Sequence, residues 1–107
     1  MKTQQPGFCC GDRQLRVFRL VGKRWTLPIL AALLQGPARF SEVARAVPGL
    51  SERVMSERLQ ELCEAGLVER QVDPGPPLGT RYHLTPKGEC LRPAVQSLLE
   101  AAAALPD

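Results

Sequence analysis

RFSEVARAVPGLSERVMSERLQELCEAGLVER, from Arg39 to Arg70, decides the fold. It reads as a short helix, a tight turn, a longer helix, a glycine stop and a strand. Ser41 is placed to cap the first helix, and Val43, Ala44 and Val47 give it a small apolar face. Pro48-Gly49 ends it, because proline cannot continue the hydrogen-bond ladder and glycine tolerates the dihedrals of a sharp turn. Leu50 can plug the space between the two helices. Ser51 caps the second, and Gly66 closes it.

The second helix carries the functional argument. Met55, Leu59 and Leu62 recur at i, i+4 and i+7 and define a buried stripe. The opposite side holds Arg53, Glu57, Gln60 and Glu64, with Glu52 and Ser56 on its flank. Such a face is either an ordinary solvated surface or a reading surface for duplex DNA. Arginine can grip guanine, and glutamine adenine, through paired hydrogen bonds in the major groove. Recognition helices touch bases with their N-terminal half, which nominates Glu52, Arg53, Ser56, Glu57 and Gln60.

The residues beyond Gly66 favour the reading surface. Leu67 to Val72 alternates as a strand, Asp73-Pro74-Gly75-Pro76-Pro77-Leu78-Gly79 is a turn-rich tip, and Arg81 to Leu84 is the returning strand. A hairpin directly after a recognition helix is a wing. Thr85-Pro86 then supplies a cap and a first-turn proline for a final helix. The expected fold is α+β, mainly helical: a winged helix-turn-helix with a two-stranded wing and flanking helices at both ends. A flexible arm over residues 1–11 would precede one domain over residues 12–107.

The segments VGKRWTLPIL (Val21 to Leu30), RFSEV (Arg39 to Val43), PGLSERVMSERLQEL (Pro48 to Leu62), GLVER (Gly66 to Arg70) and RYHLTPKG (Arg81 to Gly88) carry a resemblance. In order and spacing, the run from Leu20 to Leu91 resembles the HxlR-type winged-helix transcriptional regulators, relatives of the MarR group. One departure stands out: the residue before the wing tyrosine is usually acidic, and here it is Arg81. The resemblance implies a sequence-specific DNA-binding regulator that pairs through its first and last helices.

The flanking sequence suits that pairing. Asp12 to Val21 is expected to be a helix carrying Leu15 and Phe18 along one face. Trp25, Ile29, Leu30 and Leu33 continue the apolar spacing in a second helix, where Pro28 would force a kink if the helix began at Lys23. Leu91, Val95, Leu98, Leu99 and Ala102 form a C-terminal stripe that something must cover. Pro93 should bend that helix. A second copy, packed through Leu15, Phe18 and this stripe, would set two reading helices about one DNA turn apart, on a near-palindromic operator.

The 107 residues fit one small domain, and 44% apolar residues suffice for its core. No uninterrupted apolar run of about 18 residues exists to span a membrane, and MKTQQPGFCC lacks the apolar centre of a signal peptide. A cytoplasmic protein is expected. The formal net charge of +3 is unevenly spread: residues 1–40 carry +6, 41–70 carry −2, and the remainder −1. Phosphate contacts must therefore come from individually placed cations among Lys23, Arg24, Arg39, Arg53, Arg58, Arg70 and Arg81, about half of them expected to pair internally. Ser41 and Ser51 would offer helix-start N–H groups to phosphates, and Arg81 would reach phosphate or the minor groove.

Four cysteines in a chain expected to be cytoplasmic argue against structural disulfides, and the lack of a CxxC pair argues against a zinc ribbon. Cys63 and Cys90 read as small buried hydrophobes. Cys9 and Cys10 sit ahead of the first helix near Arg13, a setting that favours thiolate. Some members of the resembled family sense oxidants or electrophiles through a cysteine near this point, so Cys9 and Cys10 are the redox candidates. A thiolate-based metal or metalloid sensor is an alternative, although His83 is the single histidine and the ligands would be scattered. A winged helix serving protein partners is another. No nucleophile–base pair and no phosphate loop appear, so neither catalysis nor a cofactor is expected.

Overall fold

The computed structural model describes residues 10–76 and 79–107. The elements run α1 (Asp12–Val21), α2 (Thr26–Leu33), β1 (Ala38–Arg39), α3 (Phe40–Ala46), α4 (Glu52–Glu64), β2 (Val68–Asp73), β3 (Gly79–Leu84), α5 (Pro86–Glu89) and α6 (Arg92–Ala104). Residues 1–9 of the expected arm, Cys9 among them, lie outside the described residues, as do Pro77 and Leu78 of the wing tip.

The core is built where the apolar spacing requires it. Ile29, Leu30 and Leu33 of α2 meet Val43 of α3, Met55, Leu59 and Leu62 of α4, and Leu67, Val68 and Leu84 at the wing root. Burial of each large side chain contributes about 1.5–3 kcal/mol. Leu50 packs against this cluster from the turn between α3 and α4. Gly49 takes φ +88° there, and a Cβ on it would stand 3.7 Å from the Trp25 ring. Trp25 is half-buried against the core rather than enclosed by it, and it precedes α2 at φ 79°. Because α2 starts only at Thr26, Pro28 falls in the first turn, where its missing N–H is no loss, and the conditional kink does not arise.

Helix ends follow mostly the expected chemistry. Ser51 Oγ accepts from the Val54 N–H at 3.2 Å. At the other end of α4, Leu67 N–H donates to Leu62 O and Gly66 N–H to Cys63 O, both at 3.0 Å. This crossed pair is a Schellman closure, which needs the φ of +78° that Gly66 provides. The start of α3 differs from expectation. Arg39, not Ser41, is the N-cap, and its N–H donates to the Glu42 carboxylate at 2.7 Å. The residue three positions on thus satisfies the cap's own N–H, a different donor from the first-turn N–H that a capping serine would have engaged. Ser41 lies inside the first turn, and its side chain is exposed.

The wing hairpin has an antiparallel register running from Val68↔Leu84 to Asp73↔Gly79. A third strand joins it: β1 pairs with β3 as Ala38↔Tyr82 and Arg39↔Arg81, giving the order β1-β3-β2. The expected C-terminal helix is broken into α5 and α6 at Cys90-Leu91, just before Pro93. The Pro93 ring would collide with the carbonyl of Glu89 in a continuous helix, so α5 ends at that residue. The break turns Leu91 and Val95 inward: Val95 is 6% exposed and Leu91 packs against the protomer's own core. The C-terminal stripe is thus divided. Leu91 and Val95, expected at the contact with a second copy, are used within the domain, while Leu98, Leu99 and Ala102 stay exposed.

Candidate nucleic-acid interface

The burial of Met55, Leu59 and Leu62 fixes the rotation of α4 about its own axis. Glu52, Arg53, Ser56, Glu57 and Gln60 consequently point to solvent together with Ser51. Arg53 makes no ion pair among the described residues, so its guanidinium is held by nothing on its own face. Gln60 Nε2 donates to Glu64 Oε2 at 3.2 Å, a bond along the helix surface that an incoming base edge can replace.

The acidic sum of residues 41–70 overstates the charge on this face. Glu42 is engaged by the Arg39 N–H. Glu61 is bracketed by Lys23 Nζ at 2.9 Å and Arg58 Nη1 at 3.2 Å. Arg58 also donates from Nε to Arg24 O at 2.9 Å. It therefore ties α4 to the segment before α2 and is withdrawn from the set of phosphate-binding cations. Lys23, Arg39, Arg58 and Arg81 pair with carboxylates, close to the half expected. Arg24 lies over the Trp25 ring, 5.1 Å from its centroid.

Between α4 and the wing runs a groove of about 580 Å³ lined by Ser56, Gln60, Cys63, Glu69, Arg70 and Tyr82. Burial pushes the Cys63 thiol up from its ordinary value, with the Arg70 charge opposing more weakly. Cys63 is half-buried, short of the full burial expected of it. Cys90 departs from expectation: it is exposed, with its Sγ 3.6 Å from Pro86 O. His83 Nε2 stands 3.1 Å from Glu69 Oε1 across the hairpin, a strand-to-strand pair.

The wing holds what sequence reasoning missed. Asp73, read only as the start of the tip, receives Arg81 Nε at 2.9 Å and Arg39 Nη2 at 3.5 Å. It gathers two expected DNA-contacting arginines from β1 and β3 onto one carboxylate. The signal was available in part: a lone acid eight residues before an arginine, across a hairpin. The strand that brings Arg39 in was not legible.

Ahead of α1, Cys10 is half-buried and precedes the Gly11 cap, so the expected helix-start position holds for it. None of the α1 residues is buried; Leu15 is 39% and Phe18 55% exposed. On α6, Leu98 and Leu99 border an apolar groove of about 480 Å³ shared with Leu27, Ala31, Val47 and Val95. Among the described residues no cluster of three or more His, Cys, Asp or Glu side chains could hold a metal ion. No described helix is long and apolar enough to cross a membrane.

The chain is similar to known proteins in sequence and in fold. The model of a family described as HxlR-like helix-turn-helix matches residues 20–105. The HTH-type transcriptional regulator YodB of Bacillus subtilis is 42% identical over 81 residues, 76% of this chain and 72% of YodB. A second regulator of that organism, YvaP, is 49% identical over 74 residues, 69% of this chain and 68% of YvaP. Among solved structures, diamide-treated YodB superposes with a TM-score of 0.77 at 35% identity, covering 94% of this chain and 99% of that one. The redox regulator HypR in its reduced form gives 0.76 at 28% identity, covering 83% and 88%. A quinone-bound form of YodB aligns similarly, at 0.76 and 34% identity, over 90% and 100%.

Proposed function

Because the chain belongs to the HxlR-like helix-turn-helix family of transcriptional regulators, we propose that it is a cytoplasmic homodimer that binds double-stranded DNA in a sequence-specific way. The observation that carries this is the outward stripe of α4, rotated to solvent by its buried counterpart and flanked by the wing. Arg53, Ser56, Glu57 and Gln60 read base edges, with Glu57 accepting from a cytosine amine. Ser51, Glu52 and Ser41 lie at helix starts, where backbone N–H groups approach phosphate, and Arg39 and Arg81 act from the wing.

The second copy covers the apolar surface left on the flanking helices. Phe18 is 55%, Leu98 51% and Leu99 50% exposed, apolar surface that a partner would take out of water. Leu15 and Ala102 complete that surface. A two-fold pair built this way presents two α4 helices to a near-palindrome. Selection of duplexes from a random pool, followed by a salt titration and a solution mass measurement, tests the reading. A dimer of about twice the 11.7 kDa chain, with salt-dependent binding to an inverted repeat, is expected. A monomer, or a protein indifferent to duplex DNA, would refute it and favour an interaction module.

The signal is thiol chemistry at Cys10 or Cys9. Cys10 directly precedes the Gly11 cap of α1, a helix assigned to the pairing, and a helix start is a setting in which reactive cysteines occur. YodB has been captured treated with diamide and bound to quinone, and HypR is a redox regulator with reduced and oxidised forms. Modification here would alter the separation of the reading heads. Diamide should change operator affinity of the wild type and leave a Cys9→Ser/Cys10→Ser variant unaffected. Unchanged affinity, with labelling confirming reaction at these thiols, removes the sensing function.

A further inference from the structure

Arg39 and Arg81 face each other directly across β1 and β3. Two like charges in that position repel and destabilise the pairing unless something negative lies between them. Asp73 is that group. Its Oδ2 is 2.9 Å from Arg81 Nε and 3.5 Å from Arg39 Nη2, and its Oδ1 is 3.4 Å from Arg81 Nη2.

The register explains how a side chain from each of three strands reaches one point. Asp73 pairs with Gly79, and Gln71, two residues earlier on the same face, pairs with Arg81. Arg39, Arg81 and Asp73 therefore share one face of the sheet. Gly79 leaves that face empty beside them, and the Arg39 guanidinium lies across the gap: a Cβ on Gly79 would overlap it. Glycine here serves a side chain, since its backbone φ is not in the left-handed region.

The charges do not cancel. Two guanidiniums against one carboxylate leave one positive charge. The carboxylate is the least exposed member at 17%, with Arg39 at 37% and Arg81 at 44%. Each guanidinium has five N–H donors in a fixed plane, and the contacts to Asp73 occupy only its inner edge. The outer N–H groups remain available to an anion.

We propose that Asp73 is a positioning residue that holds Arg39 and Arg81 as one clamp for a single backbone phosphate of DNA. This rests on the DNA-binding reading and adds a member that does not touch the ligand. It also accounts for an arginine standing before the wing tyrosine: the carboxylate and the arginine work as a unit.

Two variants separate positioning from charge and from folding. Gly79→Ala leaves every charge in place but displaces Arg39, at little cost to the fold because the yielding group is the end of a flexible side chain. Asp73→Asn raises the net charge by one, which on simple electrostatics would tighten binding. With a duplex selected by the wild type, both variants are expected to bind about three- to tenfold more weakly. The loss should be equal on a scrambled duplex, and the slope of log affinity against log salt should fall by about one phosphate's worth. Asp73→Asn should cost nothing further in an Arg39→Ala/Arg81→Ala background. Wild-type affinity or tighter in either variant overturns the clamp, as does a loss for Asp73→Asn that persists without the arginines. A wild type that shows no salt-dependent duplex binding removes the DNA reading itself, and the two failures are thereby distinct.

Discussion

Replacing Arg53 with alanine is the sharpest probe of the reading helix. Arg53 is exposed on the first turn of α4 and forms no ion pair among the described residues, so its loss removes no internal contact. Folding stability should move by less than about 0.5 kcal/mol, the usual range for such surface changes. A bidentate arginine–guanine pair contributes about 1–3 kcal/mol of discrimination, and 1.4 kcal/mol corresponds to about tenfold in affinity. Each half-site should therefore lose on the order of five- to 150-fold. Anisotropy with a labelled selected duplex and a scrambled one, at one salt concentration, measures this directly, with a thermal melt as control. A large loss on the selected duplex and little on the scrambled one is expected. Equal loss on both would make Arg53 a backbone contact, and no loss on either would refute its place on the reading face.

Three further outcomes are expected. Leu98→Glu, at a position 51% exposed, should leave the protomer folded but shift the solution mass to the monomer, read by light scattering. Gly88→Ala should lower stability by about 1–3 kcal/mol in chemical denaturation, because a Cβ there meets the Leu67 carbonyl of a neighbouring backbone segment. The Arg92 hydrogen bond holds the Glu89 carboxyl below its ordinary value of 4.5. A depressed carboxylate stabilises the fold above its unfolded value and loses that contribution as pH falls through the folded one. Acid titration of stability should therefore show a loss below pH 4.5 that Glu89→Gln lacks.

The elements with strong periodicity were legible in the sequence. α1 coincides with the expected Asp12 to Val21, and α4 with a helix running from Ser51 to the Gly66 stop. Buried stripes and caps are local signals, and they suffice there. Non-local features were missed. β1 is two residues long and exists only because β3 lies beside it, so no pattern within Ala38-Arg39 announces it. The α3 cap went to Arg39 because the Glu42 side chain reaches back to its N–H, an alternative that a serine-first reading passes over. The inward turn of Leu91 and Val95 results from the break that Pro93 imposes; the proline announces a bend, but not which side chains the bend turns inward.

The candidate reading face was likewise half legible. Which side of α4 points outward is set by Met55, Leu59 and Leu62. Which charges remain on offer is not, since Lys23 and Arg58 are spent on Glu61 by contacts 38 and three residues apart in sequence. That distinction matters for how the protein would recognise its site. On the proposed DNA-binding reading, few uncommitted cations would make attraction to DNA at large modest, and discrimination between sequences would rest on the base contacts of α4. Glu52 and Glu57 reinforce this: on a duplex without a suitable donor they bring negative charge against phosphates and acceptor atoms at no return. An acidic flank on a reading helix therefore lowers binding to wrong sequences more than to the right one. The modest net charge of +3 is on this view a source of selectivity, obtained at the expense of overall affinity.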